Sequence, residues 1–215
     1  MNFLTGPTYE IITPIHRTEI LKKIEKVART CYKSEDKITE GSASKMIKAL
    51  VKSQHWAMLE HASITVKIVT DRGTSHELVR HREASYAQES TRYCRYNSEA
   101  GICCIVPAHI DVFSEEFNEW ADAIEVCEKF YIRELEHYGR GAQDARAILP
   151  TCLKTEINIT ANLREWYHIF NLRVLGTTGL PHPEIRRTLE PVLKEFAEAL
   201  PEVFGQQWED YNNGR

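Results

Sequence analysis

Residues 80 to 95 read RHREASYAQESTRYCR, and four arginines, Arg80, Arg82, Arg92 and Arg95, fall within those sixteen positions. No lysine occurs between Lys67 and Lys129. A guanidinium is a planar fork of donors that meets a phosphate or carboxylate in two parallel hydrogen bonds, whereas an ammonium is only a point charge. Repeated use of arginine therefore suggests recognition of an anion rather than simple solubility. Ser85 and Ser90 add hydroxyls, and Gln88 adds an amide that both donates and accepts. A plainer reading competes with this one. The stretch 115–136 carries eight carboxylates against Lys129 and Arg133, so the arginines could be a solvated face paired with an acidic helix. Clustering alone does not decide.

Other patterns fail on physical grounds. His76-Glu77-Leu78-Val79-Arg80-His81 resembles a zinc-protease helix, but a histidine five positions on lies about 140° around a helix, so the two rings cannot share a metal. Gly139-Arg140-Gly141 lacks the third glycine and the strand of a dinucleotide loop. No phosphate-binding G-x-x-x-x-G-K-[ST] occurs, and Asn158-Ile159-Thr160 is a chance glycosylation match within a strand. The six cysteines, at 31, 94, 103, 104, 127 and 152, show no C-x-x-C spacing and mostly sit beside apolar residues. They read as small buried hydrophobes rather than a disulfide framework or metal set. No metal is expected.

Composition bounds the class. With 215 residues, 42% hydrophobic and 27% charged, the chain excludes disordered and collagen-like proteins. It has no apolar run long enough for a membrane span and no secretory leader, so a cytoplasmic protein without membrane contact is expected. A net charge of −4 argues against a dedicated nucleic-acid binder.

The elements that must position the arginines follow from periodicity. Tyr9 to Ile15 reads as an opening strand, and Thr18 begins a helix with Ile20, Leu21, Ile24, Val27, Ala28 and Cys31 at helical spacing. Ser42 and Ser44 offer caps for a second helix. Ile64, Val66 and Ile68 alternate with Ser63, Thr65 and Lys67, which predicts a strand from His61 to Asp71. Thr74-x-x-Glu77 then predicts a capping box for a helix running through His81. Residues 85–96 read as loop or extended chain. Ser114 opens a long helix with Phe117, Trp120, Ala121, Ile124, Cys127, Phe130 and Tyr131 facing inward. A short helix over 143–149, a strand over 153–160, a helix from Ala161 to Arg173 and a last helix from Glu184 to Leu200 complete the chain. In that last helix Glu184 and Arg186 are expected to form ion pairs. Without regular βαβ alternation, the class is α+β: a single domain over 1–215 with a small, mostly antiparallel sheet and several helices.

The ordered pattern R-H-R-x-x-S-x-x-x-x-S-x-R over 80–92 is far more specific than the arginine count. In it the chain resembles the flavin-dependent thymidylate synthases, the thymidylate synthase complementing protein family. The resemblance extends to Ala28-Arg29-Thr30-Cys31-Tyr32, His55-Trp56-Ala57-Met58-Leu59-Glu60-His61, Ala145-Arg146-Ala147-Ile148-Leu149-Pro150, Asn162-Leu163-Arg164-Glu165-Trp166 and Asn171-Leu172-Arg173. It implies a homotetramer with FAD sites assembled from several subunits. It implies methylation of dUMP to dTMP, with methylenetetrahydrofolate as carbon donor and NADPH as reductant. Carried over residue by residue, His55, Arg80, His81, Arg82, Gln88, Asn162, Arg164 and His168 would hold FAD. Glu77, Arg80, Gln88, Glu89, Ser90, Arg92, Arg146 and Arg173 would meet dUMP, with Arg173 activating the pyrimidine. Three positions depart from the family's habit: Glu77 stands where many members have an amide, Ala57 where many have a hydroxyl, and His168 where Asn and His alternate.

Charge considerations fit these roles. A site holding a dianionic phosphate and a pyrophosphate needs several fixed guanidiniums. An arginine beside uracil would stabilise negative charge developing on N3 and O2 as hydride reaches C6. Ser90 reads as a binding hydroxyl, since no base stands near it in sequence, and no cysteine nucleophile is implied. Arg164 in the first turn of a helix opposes the helix dipole, a placement that suits a bound anion or an ion pair. Two other functions remain open at this level. One is a nucleic-acid module stacking bases on Tyr86, Tyr93 and Tyr96, and the other is a flavoprotein of this fold without synthase activity.

Overall fold

The computed structural model describes residues 1–98 and 101–214. The elements are β1 (Asn2–Leu4), β2 (Thr8–Ile11), α1 (Arg17–Thr30), α2 (Ser42–Lys52), β3 (Ser63–Asp71), α3 (Arg72–Leu78), β4 (Ala84–Gln88), β5 (Cys103–Ile105), α4 (Glu115–Glu136), α5 (Ala142–Ala145), β6 (Lys154–Asn162), α6 (Leu163–Phe170), α7 (Pro183–Ala199) and α8 (Pro201–Asn212). This is the α+β class expected, helices with a small antiparallel sheet, of strand order β2-β3-β6-β4. A separate two-stranded sheet pairs β1 with β5 in parallel, a pairing that the short strands did not announce.

The chain divides into two compact units. The first comprises Met1–Thr8, Ile68–Arg80 and Tyr86–Asn158, the second Tyr9–Lys67, His81–Ser85 and Ile159–Arg215. In the first, Ile102, Cys104, Ile124, Tyr131, Leu135, Ala145 and Leu153 form a buried cluster against which Phe3 and Trp120 pack. In the second, Trp166, Phe170, Phe196 and Phe204 are fully buried and meet at ring separations of 5.3–5.7 Å. Stacked and edge-to-face pairs of this kind add about 0.5–1.5 kcal/mol beyond burial. The Trp166 indole N–H donates to the Ile64 carbonyl at 3.0 Å, tying α6 to β3.

The alternation in β3 and β6 is as expected: Ile64, Val66 and Ile68 are buried, as are Thr155, Ile157 and Ile159. Ser114 caps α4, accepting from the Phe117 N–H at 3.1 Å. Elsewhere stronger local chemistry prevailed. The α3 helix starts at Arg72 because Asp71, still in the strand, is the N-cap. Its carboxylate accepts from the Thr74 N–H at 2.7 Å and the Thr74 hydroxyl at 2.6 Å, so Thr74 donates to the cap instead of being it. That shift ends the helix at Leu78, before His81. On α4, Phe130 points outward and Glu128 is buried. Glu128 takes the inward place because it accepts the Ile102 N–H at 2.8 Å and pairs with the N-terminal ammonium at 3.3 Å. The last helix breaks at Leu200, as expected of the residue before a proline, and Pro201 starts α8. The predicted helix to Arg173 instead yields to a π-helical turn over Asn171–Leu175. Gly176 closes that turn at φ +77, where an added Cβ would lie 2.8 Å from Pro181.

One buried charge fastens three segments of the second unit. Glu202 accepts from the Arg17 guanidinium and from the Ser44 hydroxyl, the latter at 2.7 Å. Burial pushes its carboxyl up, but these hydrogen bonds outweigh it and hold the group at about 2, against an ordinary 4.5. A depressed carboxylate stabilises the fold fully above its unfolded value and loses that contribution as pH falls from about 4.5 towards about 2. Glu202→Gln should therefore lower the Tm at neutral pH and flatten its fall over that window. An unchanged acid profile in urea or thermal melts would refute this account of the anchor.

Candidate active site

In the first unit the signature segment lies along β4 and the turn after it. Gln88 ends β4, and its amide Nε2 donates to the Ser75 hydroxyl at 2.9 Å and the Thr155 hydroxyl at 3.1 Å. Ser75 donates to the Arg72 carbonyl at 2.8 Å. The Arg72 guanidinium reaches Thr155 Oγ1 and the Glu89 carbonyl, both at 3.4 Å. Glu89 is held at both carboxylate oxygens: Tyr96 donates to Oε1 at 2.7 Å, and Lys154 Nζ stands 3.2 Å from Oε2. Burial first, and then this bond to Glu89, push the Tyr96 phenol well above its ordinary value. Ser90 heads the following turn, its carbonyl accepting from Cys94 N–H at 2.9 Å and its hydroxyl from Arg92 N–H at 3.3 Å. Arg92 is exposed, lying over the Tyr93 ring at 5.5 Å, and the exposed Arg146 donates to Thr91 at 3.3 Å. Arg80 is also exposed and Glu77 half-buried.

In the second unit His81 is buried, 5% accessible, while Arg82 beside it is exposed. Arg173, in the π-helical turn, donates from Nε to His81 Nε2 at 3.1 Å. An imidazole nitrogen that accepts is unprotonated, so the ring proton sits on Nδ1. There it faces the buried Glu165, 3.6 Å away. The His168 ring meets His81 edge-on at 5.8 Å between centroids. Single π-helical turns inside helices are frequent at functional sites, because they rotate one side chain out of the regular register.

A cavity of about 530 Å³ opens beside this cluster, lined by Trp56, Glu60, Glu83, Asn162, Arg164, Glu165, Tyr167, His168 and Asn171. Asn162 caps α6, its side-chain oxygen accepting the Glu165 N–H at 2.9 Å. Arg164, in the first turn, meets the Glu60 carboxylate at 2.5 Å, so the ion-pair reading of its position holds in this chain. An apolar concavity of about 390 Å³ shares Trp56 and Arg164 with the first and adds Tyr32, Met46, Leu50 and Met58, with His55 on its wall.

The expected site residues thus separate cleanly. Glu77, Arg80, Gln88, Glu89, Ser90, Arg92 and Arg146 belong to the first unit, and His55, His81, Arg82, Asn162, Arg164, His168 and Arg173 to the second. Sequence reasoning passed over Arg72, Ser75, Lys154 and Thr155, which hold the signature segment, and Glu60 and Glu165, which meet Arg164 and His81. The one available signal was a threonine among isoleucines on the buried face of β6. In α7 Glu184 pairs with Arg187 at 2.6 Å, and Arg186 instead buries an Nε that has no hydrogen-bond partner among the described residues. Of the tyrosines considered as stacking platforms, Tyr86 donates to the Leu78 carbonyl at 2.7 Å and Tyr96 is tied to Glu89, leaving only Tyr93 largely exposed.

The fold matches that of a UMP/dUMP methylase, PolB from Streptomyces cacaoi, whose crystal structure with 5-Br dUMP aligns with a TM-score of 0.80 at 24% identity, over 95% of this chain and 96% of that one. At that identity the likeness establishes the α+β fold. A family model described as thymidylate synthase complementing protein matches residues 15–202. The flavin-dependent thymidylate synthase of Geobacter sulfurreducens is 35% identical over 184 residues, 82% of this chain and 77% of that protein. That of Pyrococcus abyssi is 35% identical over 166 residues, 76% of this chain and 66% of its own length. The chain belongs to the thymidylate synthase complementing protein family, the flavin-dependent thymidylate synthases.

Removing the imidazole tests the His81 cluster. His81→Ala leaves Arg173 Nε without its acceptor and Glu165 without its facing ring, and should cost about 1–3 kcal/mol of stability. Urea denaturation showing no loss would mean the network contributes nothing.

Proposed function

We propose that the protein is an FAD-dependent methyltransferase that converts dUMP to dTMP, taking carbon from methylenetetrahydrofolate and reducing equivalents from NADPH. The observation that carries this reading is the ordered signature Arg80-His81-Arg82, Ser85, Ser90, Arg92, lying within the family match over 15–202. The protein is further proposed to work in the cytoplasm as a homotetramer whose sites draw on more than one subunit, with 1–215 acting as one functional domain.

The second unit's donor set fits FAD. A ring system needs flat apolar walls, and a polyol with a diphosphate needs mixed donors and acceptors. Trp56 and Tyr167 supply the first in the 530 Å³ cavity, while Asn162, Arg164 and His168 with Glu60 and Glu83 supply the second. His55, Arg80, His81, Arg82 and Gln88 complete the proposed cofactor set. When bound, FAD supplies the redox chemistry.

The chain's own residues bind, orient and stabilise charge. Arg80, Arg92 and Arg146 offer exposed guanidiniums for the nucleotide phosphate, and Ser90 a hydroxyl. Glu77, Gln88 and Glu89 orient the nucleoside, with Glu89 kept rigid by Tyr96 and Lys154. Arg173, its Nε committed to His81, presents a guanidinium of fixed plane. Such a cation beside N3 and O2 of the pyrimidine stabilises negative charge developing there and is worth more where water is excluded. No cysteine is needed in this scheme: the bond to Cys152 first, and then burial, push the Cys104 thiol up and keep it protonated.

Purified protein should be yellow and should release tritium from 5-tritiated dUMP when given NADPH and methylenetetrahydrofolate. A colourless protein that takes up no FAD and releases no tritium refutes the reading. Arg173→Ala should lose about 10²–10³ in turnover while keeping its flavin spectrum; full turnover would remove Arg173 from the mechanism, and a flavoprotein without synthase activity would show colour but no tritium release in either form. Asn162→Asp keeps the oxygen that caps α6 but replaces the amide donor with a charge among Glu60, Glu83 and Glu165. It should preserve the Tm of the apoprotein yet weaken FAD retention about tenfold or more in dialysis.

A further inference from the structure

Gln88 is the member of the proposed nucleotide set whose hydrogen-bonding capacity can be counted completely. A primary amide has two N–H donors on one atom and an acceptor oxygen on the other. Both donors of Gln88 are committed inside the protein, to Ser75 at 2.9 Å and Thr155 at 3.1 Å. The reverse orientation, with the carbonyl oxygen facing these hydroxyls, is chemically poorer. Ser75 has already given its single proton to the Arg72 carbonyl at 2.8 Å, so its oxygen can only accept. Thr155 Oγ1 is likewise approached by the Arg72 guanidinium at 3.4 Å. Ser75 must therefore meet a donor, Thr155 accepts from Arg72 on its other side, and the amide nitrogen is the one Gln88 atom that can serve both hydroxyls.

These hydroxyls are poor candidates for chance surface contacts. Ser75 is 1% accessible and Thr155 fully buried. Thr155 stands on the same face of β6 as Ile157 and Ile159, where valine would fill the space without a polar atom to satisfy. The Asp71 cap fixes the start of α3 and with it the direction in which Ser75 points. Strand, helix and cap thus converge on one side chain at the end of β4.

We propose that Ser75 and Thr155 are positioning residues that commit Gln88 to act only as a hydrogen-bond acceptor towards the nucleotide. The inference rests on the proposed function, which puts Gln88 at the nucleotide. It adds what Gln88 reads there: a donor group on the ligand. Two groups of dUMP carry that chemistry, the pyrimidine ring N3–H and the sugar 3′-hydroxyl. A ligand with neither offers Gln88 Oε1 nothing, and one presenting an acceptor at that point is repelled.

The experiment compares dUMP with two probes, 3-methyl-dUMP and 2′,3′-dideoxyuridine monophosphate, by calorimetry on the FAD-loaded wild type and on Gln88→Ala. One probe should bind wild type about five- to tenfold more weakly than dUMP, the size of one lost hydrogen bond, and this penalty should vanish in Gln88→Ala. The probe that shows it identifies ring or sugar as the group read. In kinetics, Thr155→Val should raise KM for dUMP by a similar factor with kcat within twofold, and Thr155→Ser should restore it; a merely structural threonine would not give that split and rescue. Ser75→Ala provides the second arm should Thr155→Val fold poorly. If wild type binds dUMP but neither probe shows a penalty that Gln88→Ala removes, the acceptor role is wrong while the functional reading stands. If wild type does not bind dUMP at all, both fall.

Discussion

The register of β6 is the constraint on which the rest depends. Nine residues alternate strictly between a buried and a half-buried face, and a slip of one residue would turn every buried side chain over. Ile157 and Ile159 make such a slip expensive, since each buries an aliphatic side chain worth about 1.5–3 kcal/mol. The same register drives Thr155 inside with them. A hydroxyl that cannot reach water must find protein partners. It finds Gln88 and Arg72, and through them the signature segment acquires its backbone position. The hydrophobic alternation thus does more than hold a sheet: it delivers a polar atom to a fixed point between Gln88 and Arg72.

Net charge alone would have argued against an anionic ligand. The −4 is an average over a helix with eight carboxylates and a segment with four arginines and no lysine. Neutralisation does not occur by pairing these two groups wholesale. Arg164 is met by Glu60, and Arg173 is anchored on His81, which in turn faces Glu165. Arg80, Arg82, Arg92 and Arg146 stay exposed. The distinction matters physically. A guanidinium already facing a carboxylate must exchange one anion for another on binding, while an exposed one exchanges only water.

What could be read in the sequence was whatever depends on nearest neighbours along the chain. The alternation of Ile64, Val66 and Ile68 and the Ser114 cap are of that kind. So was the arginine segment itself, because its chemistry is carried by residue type and order. Contacts that join distant segments were out of reach. Thr74-x-x-Glu77 is a sound capping pattern, yet Asp71 three residues earlier offers a carboxylate to the same N–H group and wins it. Phe130 fits the apolar stripe of α4, but an inward glutamate is preferred where two donors await it. Ser75 and Glu165 carried no local mark of importance, and Thr155 only that of a hydroxyl among isoleucines, since their role exists only once the strands are paired and the helices seated.

The π-helical turn at Asn171–Leu175 shows the same dependence carried to a single side chain. Continuing α6 regularly would place Arg173 about one residue's rotation, 100°, from where the wider turn leaves it. The wider turn costs backbone hydrogen-bond quality, and its closure requires Gly176 at positive φ against Pro181. Such a distortion persists only if the surroundings over-determine it. Here the determinants are the buried Trp166 and Phe170 before the turn, Gln207 donating to the Asn171 side chain at 2.7 Å, and the bond from Arg173 to His81. An arginine serving only solubility would need none of these. A guanidinium whose plane is set by a buried imidazole, on a turn of non-regular pitch, has been positioned at a cost in local stability. Under the proposed function, that expense fixes the direction of the Arg173 guanidinium and not merely its charge.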